Sequence, residues 1–150
     1  MENLLTLMLF LPAIGALFQM TTPRMHLCRW LALGSSLLSG SIGLFLVFWS
    51  RWSGTTETLT VQYPWMKSYS MYYVLGLDGL NALVALLIAI VFPMLIIAEW
   101  NRTNARRGTF ALLLLLQFSS LGTALSQDLF LMFFFWTLSS LPGYFLIGIL

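Results

Sequence analysis

Charge is what this sequence has least of. Asp, Glu, Lys and Arg make up 8% of its 150 residues, against 59% hydrophobic ones. A water-soluble domain is about 25% charged, and a soluble fold cannot hide that much apolar surface behind so few charges. The net charge of +2 excludes nucleic acid as a partner, because the only basic cluster is Arg102, Arg106 and Arg107. One cysteine, Cys28, cannot form an internal disulfide and reads as a small apolar residue near a helix end. The one histidine, His26, falls in a loop, so no intramembrane histidine can ligate a haem or other buried metal. It also leaves no nucleophile–base pair to assemble. No Cys/His cluster has metal-ligand spacing, and no glycine-rich phosphate loop occurs. The chain is therefore expected to carry no catalytic residue, cofactor or metal of its own.

What the sequence has in quantity is long apolar runs. Five stand out, at about 4–20, 30–49, 79–98, 109–126 and 129–150. A helix needs roughly 20 apolar residues to cross the hydrocarbon core. Closed barrels require period-2 alternation, which runs such as 112–116 and 133–136 lack. The expected fold class is all-α: one polytopic bundle of about five transmembrane helices, with the lipid bilayer as its first partner. Glu2 stands where a signal peptide would carry basic residues, and no small-residue cleavage pattern follows, so the first run is expected to be retained.

The loops set the orientation. Arg24 and Arg29 lie between runs one and two, and Arg102, Arg106 and Arg107 between runs three and four, which places five of the seven basic residues on one side. The positive-inside rule then turns the N-terminus outward and the C-terminus inward. The longest connection, about 50–76, is expected to be an outer loop. It holds Trp52, Tyr63, Trp65, Tyr69, Tyr72 and Tyr73, either as interfacial anchors or as a surface for a partner protein.

Polar marks within this frame have local readings. Asp78 and Asp128 precede the third and fifth runs, where a carboxylate accepts orphan backbone N–H groups and meets the positive end of the helix dipole. Ser35, Ser39 and Gly43 recur every four residues in the second run, a spacing that lets two membrane helices approach closely. Pro12, Pro93 and Pro142 each remove a backbone hydrogen bond. Thr137, Ser139 and Ser140 are hydroxyls near the last of them, where Pro142 and Gly143 should shape the helix.

Two segments carry a resemblance. The first is Tyr73-Val74-Leu75-Gly76-Leu77-Asp78-Gly79-Leu80, continuing to Phe92-Pro93 and Glu99-Trp100. The second is Asp128-Leu129-Phe130-Leu131 with Phe135-Trp136-Thr137-Leu138, then Leu141-Pro142-Gly143-Tyr144-Phe145. Together they resemble the N-terminal part of the antiporter-like subunits of complex I, the proton-pumping NADH:quinone oxidoreductase, and most of all the subunit M or chain 4 type. The match covers most of residues 60–150; a component of multi-subunit sodium/proton antiporters is a more distant likeness. The resemblance implies a place beside other membrane subunits of a respiratory complex, in an energy-transducing membrane. Such subunits have about fourteen helices in two inverted five-helix repeats, so this chain would stop early in the first repeat, before the helices that bear buried lysines. It also implies a glutamate after the Phe-Trp pair, where this chain has Thr137, and another in the fourth helix, where it has Gln117. Neither side chain titrates near neutral pH. The expectation is a shortened, non-pumping structural or docking subunit. One piece of a split antiporter-like subunit, or a small independent transporter, are the other readings.

Overall fold

In hydrocarbon no water is present to hydrogen-bond a bare backbone, so each crossing segment must satisfy its own N–H and C=O groups, which a helix does. The computed structural model describes residues 2–52, 59–66, 71–101 and 107–149. It contains α1 (Glu2–Thr21), α2 (Met25–Trp52), β1 (Leu59–Met66), β2 (Met71–Leu77), α3 (Gly79–Ala98), α4 (Arg107–Leu125) and α5 (Leu129–Ile149). All five helices are long and apolar enough to cross a membrane. The chain is thus a multi-pass membrane protein built as a helical bundle.

The helix α2 extends past the expected run at both ends. At 1.5 Å per residue, its 28 residues rise about 42 Å, more than a hydrocarbon core of about 30 Å. Trp30, Trp49 and Trp52 lie toward its ends and are exposed, the level at which indole rings settle.

The helix α4 is the centre. It packs against each of the other four helices, and 61% of its crossing segment is buried, against 22% to 39% for the others. It is also the run that carries Gln117, Ser119, Ser120 and Thr123. Polar groups gain nothing from lipid, so a span that carries an amide and several hydroxyls is suited to the interior. The most apolar span, α3, sorts its residues by size instead. Ala82, Ala85, Ala89, Phe92, Pro93 and Ile96 form its buried stripe, while Leu80, Leu83, Leu87, Ile90, Met94 and Ile97 face outward. Lipid solvates leucine well, and close helix approach favours alanine.

The connection over 50–76 is more ordered than a plain loop. Its described part continues α2 to Trp52 and then forms a small antiparallel hairpin, β1 with β2, within an otherwise helical fold. Residues pair as Val61 with Leu75 and Tyr63 with Tyr73, with an irregularity between Pro64 and Met66. One face of the ribbon points inward, burying Val61, Leu75 and Leu77 in the same core as Leu5, Met8 and Leu121. The hairpin is tied down by a bridge between Leu75 and Ser126 and by the Gln127 N–H, which donates to the Val74 carbonyl at 3.0 Å. A ribbon with open edges would expose bare backbone groups beside lipid; docking on the α4–α5 connection satisfies part of one edge. Tyr69, Arg102 and Arg106, which the sequence reading placed in loops, lie outside the described residues, as do the side chains of Trp65 and Arg107.

Candidate functional site

Gln117 sits in the middle of α4 with no exposed surface. Neither its Oε1 nor its Nε2 has a hydrogen-bond partner. A buried unpaired polar group costs about 1–3 kcal/mol, so this amide is held in the interior at a cost. Thr137 is placed differently. It is exposed on α5, and its hydroxyl donates to the Phe133 carbonyl at 2.8 Å. Phe135, two residues earlier, is buried and meets Phe118 of α4 ring to ring at 5.4 Å. A helix turns about 100° per residue, so Thr137 points away from the side that Phe135 buries. The structure does not bring Gln117 and Thr137 together: one faces the bundle interior, the other its periphery.

Both aspartates stand at helix starts. The Asp78 carboxylate accepts the Asn81 N–H at 2.9 Å. One carboxylate oxygen of Asp128 accepts the Phe130 and Leu131 N–H groups at 2.8 and 3.2 Å.

The small residues of α2 meet two neighbours at once. Pro12 has no N–H to give the Met8 carbonyl one turn before it; the Ser39 hydroxyl supplies the missing donor at 2.7 Å. Pro93 likewise frees the Ala89 carbonyl, and Gly40 lies against that group, where an added Cβ would come within 3.3 Å of the oxygen. Consecutive residues of α2 therefore lie against a proline-freed carbonyl on each side, Ser39 bonded to the one in α1 and Gly40 packed on the one in α3. Ser35 packs on Gly15 and Gly43 on Met8, each so closely that a Cβ on the glycine would approach within 3.0 Å. At Pro142 the pattern differs. Ser139 and Ser140 donate to the Trp136 and Thr137 carbonyls, not to the Leu138 carbonyl that Pro142 frees. The helix α5 is assigned as one helix through Pro142, and Gly143 has open space around it.

Hollows in the bundle surface were not anticipated from the sequence. One of about 460 Å³ is lined by Tyr63, Pro64 and Tyr73 of the hairpin with Phe10, Phe118, Leu131, Phe134, Phe135 and Leu138. The Tyr73 hydroxyl is buried without a partner, and burial pushes its pKa up to about 12. Another, about 300 Å³, runs along α5 between Phe130 and Leu141 and includes Thr137. Among the described residues, no three His, Cys, Asp or Glu side chains gather as a metal site requires.

No protein-family model matches the chain. Curated relatives do. NAD(P)H-quinone oxidoreductase chain 4 1 of Synechococcus sp. (strain JA-3-3Ab) is 30% identical over 146 residues, covering 97% of this chain and 28% of the relative. Chain 4 2 of Thermosynechococcus vestitus is 30% identical, again over 97% of this chain and 28% of the relative. NADH-quinone oxidoreductase subunit M of Buchnera aphidicola subsp. Acyrthosiphon pisum is 28% identical, over 97% of this chain and 31% of the relative. The chain thus spans less than a third of the length of these relatives. Across 97% of its own length it is homologous to quinone oxidoreductase proteins of the chain 4 and subunit M type, and it fits an N-terminal part of that type.

Proposed function

We propose that this chain is an antiporter-like subunit of the subunit M type in the membrane part of a complex I-like respiratory assembly, and that its five helices serve as structure and docking surface, without a proton relay. The observation that carries the reading is the pair of positions where the resemblance calls for glutamates. They hold Gln117 and Thr137, neither of which exchanges a proton near neutral pH. Their places support it further, with one amide sealed in the core and one hydroxyl turned outward and bonded to its own helix. Inside the five apolar runs the sequence has no Asp, Glu, Lys, Arg or His at all, whereas proton paths through membranes are built from such groups. The partners are then other membrane subunits and lipid, in a bacterial plasma membrane or mitochondrial inner membrane, with the N-terminus outside.

The test is proton flux in proteoliposomes that hold the purified chain, read with a pH-sensitive dye under an imposed gradient. The unmodified chain is expected to pass no more protons than empty vesicles, and Gln117→Glu or Thr137→Glu is expected to create no flux. Robust flux from the unmodified chain overturns the reading.

A second reading is favoured by the outer face of α5, where Phe133, Trp136, Tyr144 and Ile147 are all more than 60% exposed. Further helices covering that face would make this chain one piece of a split antiporter-like unit. Gentle-detergent purification with mass spectrometry separates the two: a co-purifying chain with lysines inside its spans supports the split unit, and respiratory subunits without such a chain support the docking subunit.

A further inference from the structure

Among the described residues, the apolar interior falls into two clusters. One holds Leu5, Leu46 and Leu121 at the hairpin end; the other holds Ala16, Ala32 and Phe110 at the opposite end. Every helix contributes to both, and the break between them falls near mid-depth. Each helix is marked where it crosses that break. The helix α1 crosses at Gly15 and α2 through Ser36, Ser39 and Gly40; α3 and α5 cross at Pro93 and Pro142. In α4 the break is a single residue, Gln117, between Leu116 of one cluster and Phe118 of the other.

This layer is dry and unsatisfied. The Ser36 hydroxyl and both amide atoms of Gln117 are buried without a hydrogen-bond partner. Both residues are 0% exposed, so no water-sized space adjoins them in the closed bundle. Ser39 shows the alternative: its hydroxyl is spent on the Met8 carbonyl. The layer is also where two helices are weakest, because Pro93 and Pro142 each remove a helical hydrogen bond and sharp helix bends centre on proline.

We infer that the bundle has a built-in parting plane at this level: a minor state bends α3 and α5 at Pro93 and Pro142 and lets water reach Ser36 and Gln117. The unpaired groups raise the free energy of the closed state, and hydration relieves them in the open one, so local opening costs less here than anywhere else along the bundle axis. The apolar clusters above and below gain no such partner by parting. Water needs to pass only one of them to arrive, so the layer wets from one end without giving the bundle a continuous path for protons.

The experiment follows hydrogen–deuterium exchange by NMR on the purified chain in nanodiscs, with glutamine side chains labelled with nitrogen-15. The chain has four glutamines, Gln19, Gln62, Gln117 and Gln127, and Gln117→Leu identifies the Gln117 signal by its loss. The Gln117 side-chain amide is expected to exchange while the backbone amides of Leu114 and Leu121, about a turn to either side, stay protected. Ser36→Ala leaves one group fewer to hydrate and is expected to slow that exchange roughly ten-fold, within the cost of one unpaired buried group. Pro93→Ala restores a backbone donor to α3 and is also expected to slow it. Ser41→Ala, which removes an exposed hydroxyl bonded within its own helix, should leave the rate as it is. A Gln117 amide protected as long as the Leu114 and Leu121 backbone would overturn the inference. So would all three exchanging together, an unchanged rate in Ser36→Ala or in Pro93→Ala, or an equal slowing in Ser41→Ala.

Discussion

At the scale of single residues, the structure is governed by where each buried polar atom finds a partner. The Met8 carbonyl, deprived of its helical donor by Pro12, is served by Ser39 across the α1–α2 contact. Ser39→Ala is expected to lower stability by about 1 kcal/mol, the scale of interhelical hydrogen bonds in membranes. In a Pro12→Ala background the residue-12 N–H can return to the Met8 carbonyl, and the same substitution should cost less. A double-mutant cycle on detergent unfolding curves measures the difference; equal costs would dissociate Ser39 from the proline. Gln117 is the opposite case, an amide with neither atom paired. Gln117→Leu keeps the bulk and removes the unpaired groups, so it is expected to raise stability by about 1–2 kcal/mol on the same unfolding measurement. A loss on that scale would mean that the amide is served by a group in the natural assembly. The sequence named Gln117 and Ser39 but could not assign them these opposite roles, because a hydrogen-bond partner thirty residues away is a tertiary fact.

At the scale of elements, glycines decide how closely helices meet, and the cost of filling them depends on what lies opposite. A Cβ on Gly122 would overlap the buried Phe135 ring; a Cβ on Gly43 would meet the flexible tip of Met8 at 2.7 Å. Gly122→Ala is therefore expected to cost about 1–3 kcal/mol, as overpacking does, and Gly43→Ala distinctly less; comparable unfolding midpoints for the two would contradict this. The hairpin is the element that the sequence reading passed over, although its signal was present. Leu59, Val61, Tyr63 and Trp65 alternate with Thr60, Gln62 and Pro64, and Met71, Tyr73, Leu75 and Leu77 follow the same period. That is a strand pattern with one buried face, but its aromatics were equally legible as interfacial anchors. Docking also makes the hairpin sensitive to alkali. Burial raises the Tyr73 pKa from 10.0 to about 12, so an undocked tyrosine ionises first as the pH climbs. The docked state keeps its full stability below about pH 10 and loses it progressively toward about pH 12. Tyrosinate absorbance should show a late-titrating group that Tyr73→Phe removes.

At the scale of the whole molecule, Leu5 of α1 shares one core with Val61 and Leu75 of the hairpin, so the chain's N-terminal end and the hairpin lie on the same face. Arg24, in the connection after α1, lies at the opposite end of that helix. Cysteines introduced in a Cys28→Ser background at Thr60 and at Arg24 should label with a membrane-impermeant maleimide from opposite sides of intact cells or vesicles, Thr60 from outside. Labelling from the same side would refute the topology, and Thr60 reacting only from inside would reverse the orientation.

The number and approximate position of the crossing helices were settled by the sequence alone, because lipid demands a run of apolar residues that no tertiary contact can replace. The caps at Asp78 and Asp128 and the small-residue face of α2 were legible for a similar reason: each depends on neighbours within a turn or two. Only the tertiary structure decided that α4 is central, that the aromatic connection folds back as a hairpin, and that Thr137 turns away from Gln117. Those outcomes depend on which faces meet, and in a chain where nearly every face is apolar, hydrophobic patterning does not distinguish the face toward protein from the face toward lipid.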